Sequence, residues 1–141
     1  MRSLIIILVF AMFGNACTTE NDCCVAPPDL SEVHGEWKLV KVVNGFAQLE
    51  LEGDEIGYEE VVVINAETQT FTRKRVGSPD EVSRLEKRKE GGQDALVLLD
   101  ENMYHWYHFE ELEGVYHLVL YQKSYVDSYL ADGSSYYYLH Q

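Results

Sequence analysis

Residues 103–122 read MYHWYHFEELEGVYHLVLYQ: two runs of aromatic and β-branched residues with Gly114 between them. Such residues suit a pleated, half-buried surface. A short glycine-bearing break between two runs marks a β-hairpin. A turn around Leu112 sets Trp106 opposite Leu118 and Tyr104 opposite Leu120. Strand side chains alternate, so the hairpin has two faces. One carries Tyr104, Trp106, His108, Tyr116, Leu118 and Leu120, and the other Met103, His105, Tyr107, Phe109, Val115, His117, Val119 and Tyr121. The first face is expected inside. The second carries His105 and His117, whose ring nitrogens need partners when buried.

The same rhythm runs outward from this hairpin. Glu36–Val43, Tyr58–Asn65, Gln69–Val76, Ala95–Asp100 and Ser135–His140 are short apolar or alternating runs. Turn-forming residues at Asn44-Gly45, Asn65-Ala66, Gly91-Gly92, Asp100–Asn102 and Asp132-Gly133 separate them. Short strands at near-regular spacing indicate an all-β barrel or sandwich. Residues 79–90 admit two readings. Ser78-Pro79-Asp80-Glu81 resembles a helix capping box with proline at the first helical position. Gly91-Gly92 instead suits a hairpin leading into Ala95. A strand at 81–90 completes a set of eight, and on that ground the strand is expected rather than a short helix at 79–90.

The chain has 141 residues, and its start is not part of this pattern. Arg2 precedes an apolar run of ten residues, Leu4–Phe13. A membrane-spanning helix needs about 20, so residues 1–16 read as a signal peptide cleaved after Ala16. Cys17 would become the N-terminus. Gly14-Asn15-Ala16-Cys17 resembles the lipobox of bacterial lipoproteins, although the family prefers leucine where Gly14 stands. An ordinary secretory signal fits the same residues. Residues 17–29 (CTTENDCCVAPPD) read as a flexible tether. Glu20 and Asp22 behind Cys17 resemble the surface-export signal of Bacteroidota lipoproteins, or are simply a solvated linker. Residues 30–141 form one domain by length.

Charge excludes one class of partner. The formal net charge is −13, and without Arg2 ten basic residues face 24 acidic ones, which gives 10 − 24 = −14. Such a surface repels nucleic acid. With Cys17 lipidated, the other two cysteines, Cys23 and Cys24, lie in the tether, so no disulfide staples the domain. They remain free thiols, a strained adjacent pair or intermolecular bonds.

Gly35-Glu36-Trp37, followed by Leu39 and Val40, resembles the G-x-W opening of lipocalin-like proteins. GEWKLVKVVNGFAQ is similar to the first strand of small lipocalin-like lipoproteins of Bacteroidota. ADGSSYYYLHQ (Ala131–Gln141) is similar to their last strand. The resemblance spans about residues 33–141 and implies an eight-stranded antiparallel up-and-down barrel with Trp37 plugging one end. With lipid on Cys17, the chain is expected to be exported and anchored at the outer membrane or the periplasmic face of the cell envelope. Two departures stand out. The family's last strand carries an arginine near the tryptophan, where this chain has His140 or nothing. The link from Asn44 to Tyr58 is acidic here and often glycine-rich in relatives.

Two functions fit these residues. The first is a lipid-anchored envelope protein that binds a small hydrophobic or amphipathic ligand inside its barrel, lined by Tyr104, Trp106, Tyr116, Leu118 and Leu120. The second is a filled-core barrel acting as a non-catalytic structural or protein-interaction subunit, since eight strands enclose a bore just wide enough for side chains. No cofactor is indicated. A metal site needs converging ligands. His105 and His108 fall on opposite faces of a strand, and no third ligand joins His105 and His117. Seven basic residues cluster at Arg73, Lys74, Arg75, Arg84, Lys87, Arg88 and Lys89. They make either an anion or partner site, or cross-strand charge pairs on a solvated face, and the second reading is preferred. No G-x-S-x-G elbow or acid/base pair points to catalysis.

Overall fold

The strands of this chain close on themselves. The computed structural model describes residues 29–128, 130 and 132–141. The leader, Cys17 and tether residues 17–28, with Cys23 and Cys24, lie outside the described residues. The strands are β1 (Gly35–Asn44), β2 (Leu49–Glu52), β3 (Glu60–Asn65), β4 (Thr70–Arg75) and β5 (Glu81–Glu90). They continue with β6 (Gln93–Leu98), β7 (Met103–Leu112), β8 (Val115–Tyr121), β9 (Ser124–Tyr125) and β10 (Ser135–His140). Antiparallel neighbours run β1-β3-β4-β5-β6-β7-β8-β10, and β10 pairs back onto β1 with Trp37 opposite His140. The result is a closed eight-stranded barrel. Closure leaves the ring without open edges. The short β2 pairs the second half of β1, and the short β9 pairs the start of β7 beyond β8. The acidic link between Asn44 and Tyr58 thus contains a strand that its charges conceal.

Residues 81–90 form a strand, not a helix. Val82 is 61% exposed while Leu85 is 2% exposed. A helix would put these two residues, three apart, on one face. Ser83 and Leu85 instead face in with a period of two, because β5 has partners on both edges: β4 along residues 81–84 and β6 along 85–90. Those ladders override the local capping signals.

The register of the β7–β8 hairpin differs from the sequence expectation. Glu113 and Gly114 form a two-residue turn, both with positive φ (52° and 80°), and Leu112 pairs with Val115. Twin left-handed residues match the twist of a tight hairpin, and glycine takes that conformation readily. Phe109 therefore opposes Leu118 and Tyr107 opposes Leu120. Relative to the expected pairing of Trp106 with Leu118, the slip is 109 − 106 = 3 residues. An odd slip exchanges the faces of one strand against the other. Leu118 and Leu120 do face in, together with His105 and Tyr107. Tyr104 and Trp106 lie on the outer wall.

The bore is filled. Leu39, Val62, Ile64, Phe71, Leu85, Leu96, Leu98, Tyr107, Leu118, Leu120 and Tyr138 form one buried cluster. Its lower end is stoppered by a 3-10 turn at Ser31–Val33, which brings Leu30 and Val33 into the core. The Trp37 indole N–H donates to the Val33 carbonyl at 2.9 Å, and the His140 ring meets the indole edge-on with centroids 4.9 Å apart. A Cβ on Gly35 would collide with the His140 ring, so this close approach requires glycine. Glu32 fixes the turn from outside, accepting from Lys87 Nζ and Tyr107 OH, both at 2.5 Å. Burial and the neighbouring Glu32 push the Tyr107 phenol up to about 12.

Trp37 thus stands between the stopper, the last strand and the core. Trp37→Ala should lower the unfolding free energy by about 3–5 kcal/mol in urea titrations, the usual range for a truncated buried tryptophan. A midpoint equal to wild type would contradict its place in the core.

Candidate functional site

The opposite end of the barrel carries its buried charges. Alternation brings them there. Glu60 is in phase with Val62 and Ile64 on β3, and Arg73 and Arg75 are in phase with Phe71 on β4, so all point into the bore. β3 and β4 pair Glu60 with Arg75 and Val62 with Arg73. His105 and Met103 enter from β7, and Tyr136 and Tyr138 from β10. These residues, with Gln122 and Lys123, line a cleft of about 270 Å³ at the barrel mouth.

Glu60 is only 2% exposed. A buried carboxylate needs both partners and hydrogen bonds. Its Oε2 accepts from Arg75 Nε at 3.0 Å and Nη2 at 2.6 Å. Its Oε1 accepts from the Tyr138 hydroxyl at 2.5 Å. Burial, then the Glu60 charge, push the Tyr138 phenol well above its ordinary value. The hydrogen bond to Glu60 raises Arg75 as well. Arg75 also stacks over the Tyr58 ring, 4.3 Å from its centroid.

Arg73 sits deeper. Its Nε lies 3.4 Å from Glu60 Oε1, within ion-pair range, but is buried and makes no hydrogen bond. Its Nη2 reaches His105 Nε2 at 2.9 Å, and Nη1 donates to Glu81 Oε2 at 3.3 Å. His105 Nδ1 lies 2.6 Å from the Tyr121 carbonyl oxygen. Partner chemistry assigns the tautomer. A carbonyl only accepts and a guanidinium only donates, so Nδ1 carries the hydrogen and Nε2 offers its lone pair. Burial, followed by the Arg73 charge, lowers the His105 pKa to about 3. The rule that kept the histidines outside fails here because both nitrogens of His105 are satisfied from β4 and β8.

The other residues expected to line a pocket are dispersed. Tyr104 packs with Ala95, Val97, Trp106 and Val126 in a small second core outside the ring. Its hydroxyl donates to the Ser128 carbonyl at 2.8 Å, and the Trp106 indole donates to the Glu90 carbonyl at 2.8 Å. These two aromatics therefore hold the connection after β8 and the β5–β6 turn against the wall. Tyr116 is 65% exposed at the stoppered end. Leu118 and Leu120 are inside but surrounded by core side chains.

The basic cluster divides. Arg84 pairs with Asp100, Lys87 with Glu32, Arg88 with Glu90 and Lys89 with Asp94, while Arg73 and Arg75 turn into the mouth. Another hollow, of about 500 Å³, lies on the outer wall between Val40, Lys41, Val115, His117 and Leu139. It holds no comparable buried charge. Among the described residues, no three His, Cys, Asp or Glu side chains converge as a metal site would need. No family model, curated protein or solved structure matches the chain.

Neutral His105 makes stability depend on pH in a defined direction. Above about pH 6.5 the ring is neutral in both folded and unfolded chains and contributes no slope. Between about 6.5 and 3 the unfolded chain binds a proton that the folded chain refuses, so this position lowers stability as pH falls, by up to ~1.4 kcal/mol per unit. His105→Gln can keep a donor toward Tyr121 and an acceptor for Arg73 without titrating. Urea midpoints measured from about pH 7 to pH 4.5 should fall less steeply for this variant than for wild type. Parallel curves would contradict the neutral, buried ring.

Proposed function

We propose that the protein is an exported, lipid-anchored envelope barrel that binds a small amphipathic ligand at its polar mouth, without catalysis. The observation that supports this most is the distribution of space. Side chains fill the bore from Trp37 to Tyr138, whereas the mouth keeps a cleft of about 270 Å³ around Arg73, Arg75 and His105. That volume lies just below the usual range for small-molecule sites, about 300–1,000 Å³, and suits a head group better than a whole lipid. Met103 and Tyr136 give the cleft an apolar border, and the exposed Tyr125 pairs with Met103 beside it. A charged cleft with this apolar border matches a ligand with one polar and one apolar part.

Anchoring and orientation support the same reading. Leu30 enters the fold at the stoppered end. A tether attached through lipid on Cys17 would therefore join the barrel opposite its mouth, leaving the cleft open to the compartment. The competing reading is a protein-interaction subunit, and the exposed Phe46, Leu49, Val76, Val82 and Leu130 favour it.

Native mass spectrometry of the full chain, extracted from membranes of its own host, tests both parts. The expected spectrum has lipid mass on Cys17 and a small non-covalent adduct lost on unfolding. An unmodified chain recovered from the soluble fraction would overturn the anchoring. A second polypeptide in place of a small adduct would select the interaction subunit.

A further inference from the structure

We infer that the ligand of the mouth is a monocarboxylate amphiphile, and that the Glu81 carboxylate occupies the head-group position when the ligand is absent. This rests on the mouth being a ligand site.

Charge at the mouth is unevenly shared. Glu60 gives its hydrogen-bonding capacity to Arg75 and Tyr138. His105 presents only a lone pair to Arg73 and no negative charge. Arg73 thus retains a positive charge with an imperfect partner in Glu60, and its buried Nε–H has no acceptor. Lys123 stands beside it on the cleft wall. Together the wall holds three cations, Arg73, Arg75 and Lys123, and one carboxylate, Glu60, in a chain whose net charge is −13.

Glu81 fills the gap loosely. Its Oε2 lies 3.3 Å from Arg73 Nη1 and 3.5 Å from Lys123 Nζ. Well-formed charge-assisted hydrogen bonds are about 2.7–2.9 Å. The side chain is 53% exposed, at the first position of β5 just after the β4–β5 turn. It bridges two cations without a close bond to either, and nothing buries it in place. Lys123 is held more tightly by Glu101, at 2.5 Å. Burial raises the Glu81 carboxyl, but Lys123 and Arg73 outweigh it and hold the group below its ordinary value. A free carboxylate can replace Glu81 between Arg73 Nη1 and Lys123 Nζ, with shorter bonds to both than the tethered side chain makes. Its hydrocarbon part would leave past Met103 and Tyr136 toward the exposed Tyr125, which pairs with Met103. A cationic amphiphile would meet Arg73 and Lys123 instead. A single carboxylate balances the one undercompensated guanidinium, whereas a dianion would also crowd Glu60.

The test is a titration of the full chain with octanoate and with its uncharged methyl ester, below their aggregation limits, followed by NMR at the Arg73 Nε–H and the His105 ring. Octanoate should bind saturably and move both signals. Glu81→Gln should tighten octanoate about fivefold and Lys123→Met should weaken it about fivefold, the scale of one partly screened ion pair. Both side chains lie at the mouth, and unchanged methyl signals of the core residues Leu118 and Leu120 before ligand is added verify the fold of each variant. Equal binding of acid and ester would overturn the carboxylate inference while leaving the mouth as a ligand site. Failure of both to bind would overturn the two together. Octanoate affinity unchanged in Glu81→Gln would remove the assignment of Glu81.

Discussion

An antiparallel ring of eight strands encloses a bore that side chains alone can fill, and here they do. Phe71, Tyr107 and Tyr138 project into it between rows of leucine and valine from the other strands. Close-packed interiors exclude guests larger than a small void. Everything with chemical potential is therefore pushed to the ends. At one end the Ser31–Val33 turn, Trp37 and His140 form the stopper. At the other, Glu60, Arg73, Arg75 and His105 form a polar floor that meets solvent at the mouth cleft. The two ends share strands with the core, since the inward rows of β3 and β4 run from Val62, Ile64 and Phe71 to Glu60, Arg73 and Arg75.

The polar floor depends on Glu60. A carboxylate so deeply buried would be costly alone, and its donors decide where neighbouring groups go. Arg75 and Tyr138 take its oxygens, which leaves Arg73 to find other acceptors. His105 supplies one only while it is neutral, and it stays neutral because it is buried beside a guanidinium. Glu81 supplies another from the rim. The chain of hydrogen bonds from the Tyr121 carbonyl through His105 and Arg73 to Glu81 links the core wall to a side chain that water can reach. Removing a buried member leaves its neighbours unsatisfied, whereas changing Glu81 alters only the outermost link.

Strand positions were legible in the sequence because period-two patterning and turn residues agree along most of the chain. Seven strands of the ring fall where apolar runs and turn residues place them, whereas the strand at 81–90 was expected only because it completes the set of eight. The G-x-W opening placed Trp37 at a barrel end, and the structure puts it there. Facing was harder. One glycine at 114 permits more than one hairpin register, and only the paired left-handed conformations of Glu113 and Gly114 choose between them. An odd slip then exchanged Trp106 for Tyr107 inside the bore. The preference against buried imidazoles was sound as a rule, but the partners of His105 come from strands far away in sequence. The mouth itself left a trace that went unused. Extending the apolar alternation of Val62 and Ile64 back by one step reaches Glu60, and that of Phe71 forward reaches Arg73 and Arg75. Lys123 and Glu101 sit in connections with no period to follow.

Tyr107 and Tyr138, packed on Leu118 and Leu120, fill the bore, so any ligand must stay at the mouth. Methyl-to-ring nuclear Overhauser contacts read this directly. Leucine methyls of residues 118 and 120 should show strong cross-peaks to the Tyr107 and Tyr138 rings and none to Tyr104 or Trp106. Cross-peaks from those methyls to the Trp106 indole, with Tyr107 silent, would contradict the register, the filled bore and the site built upon them.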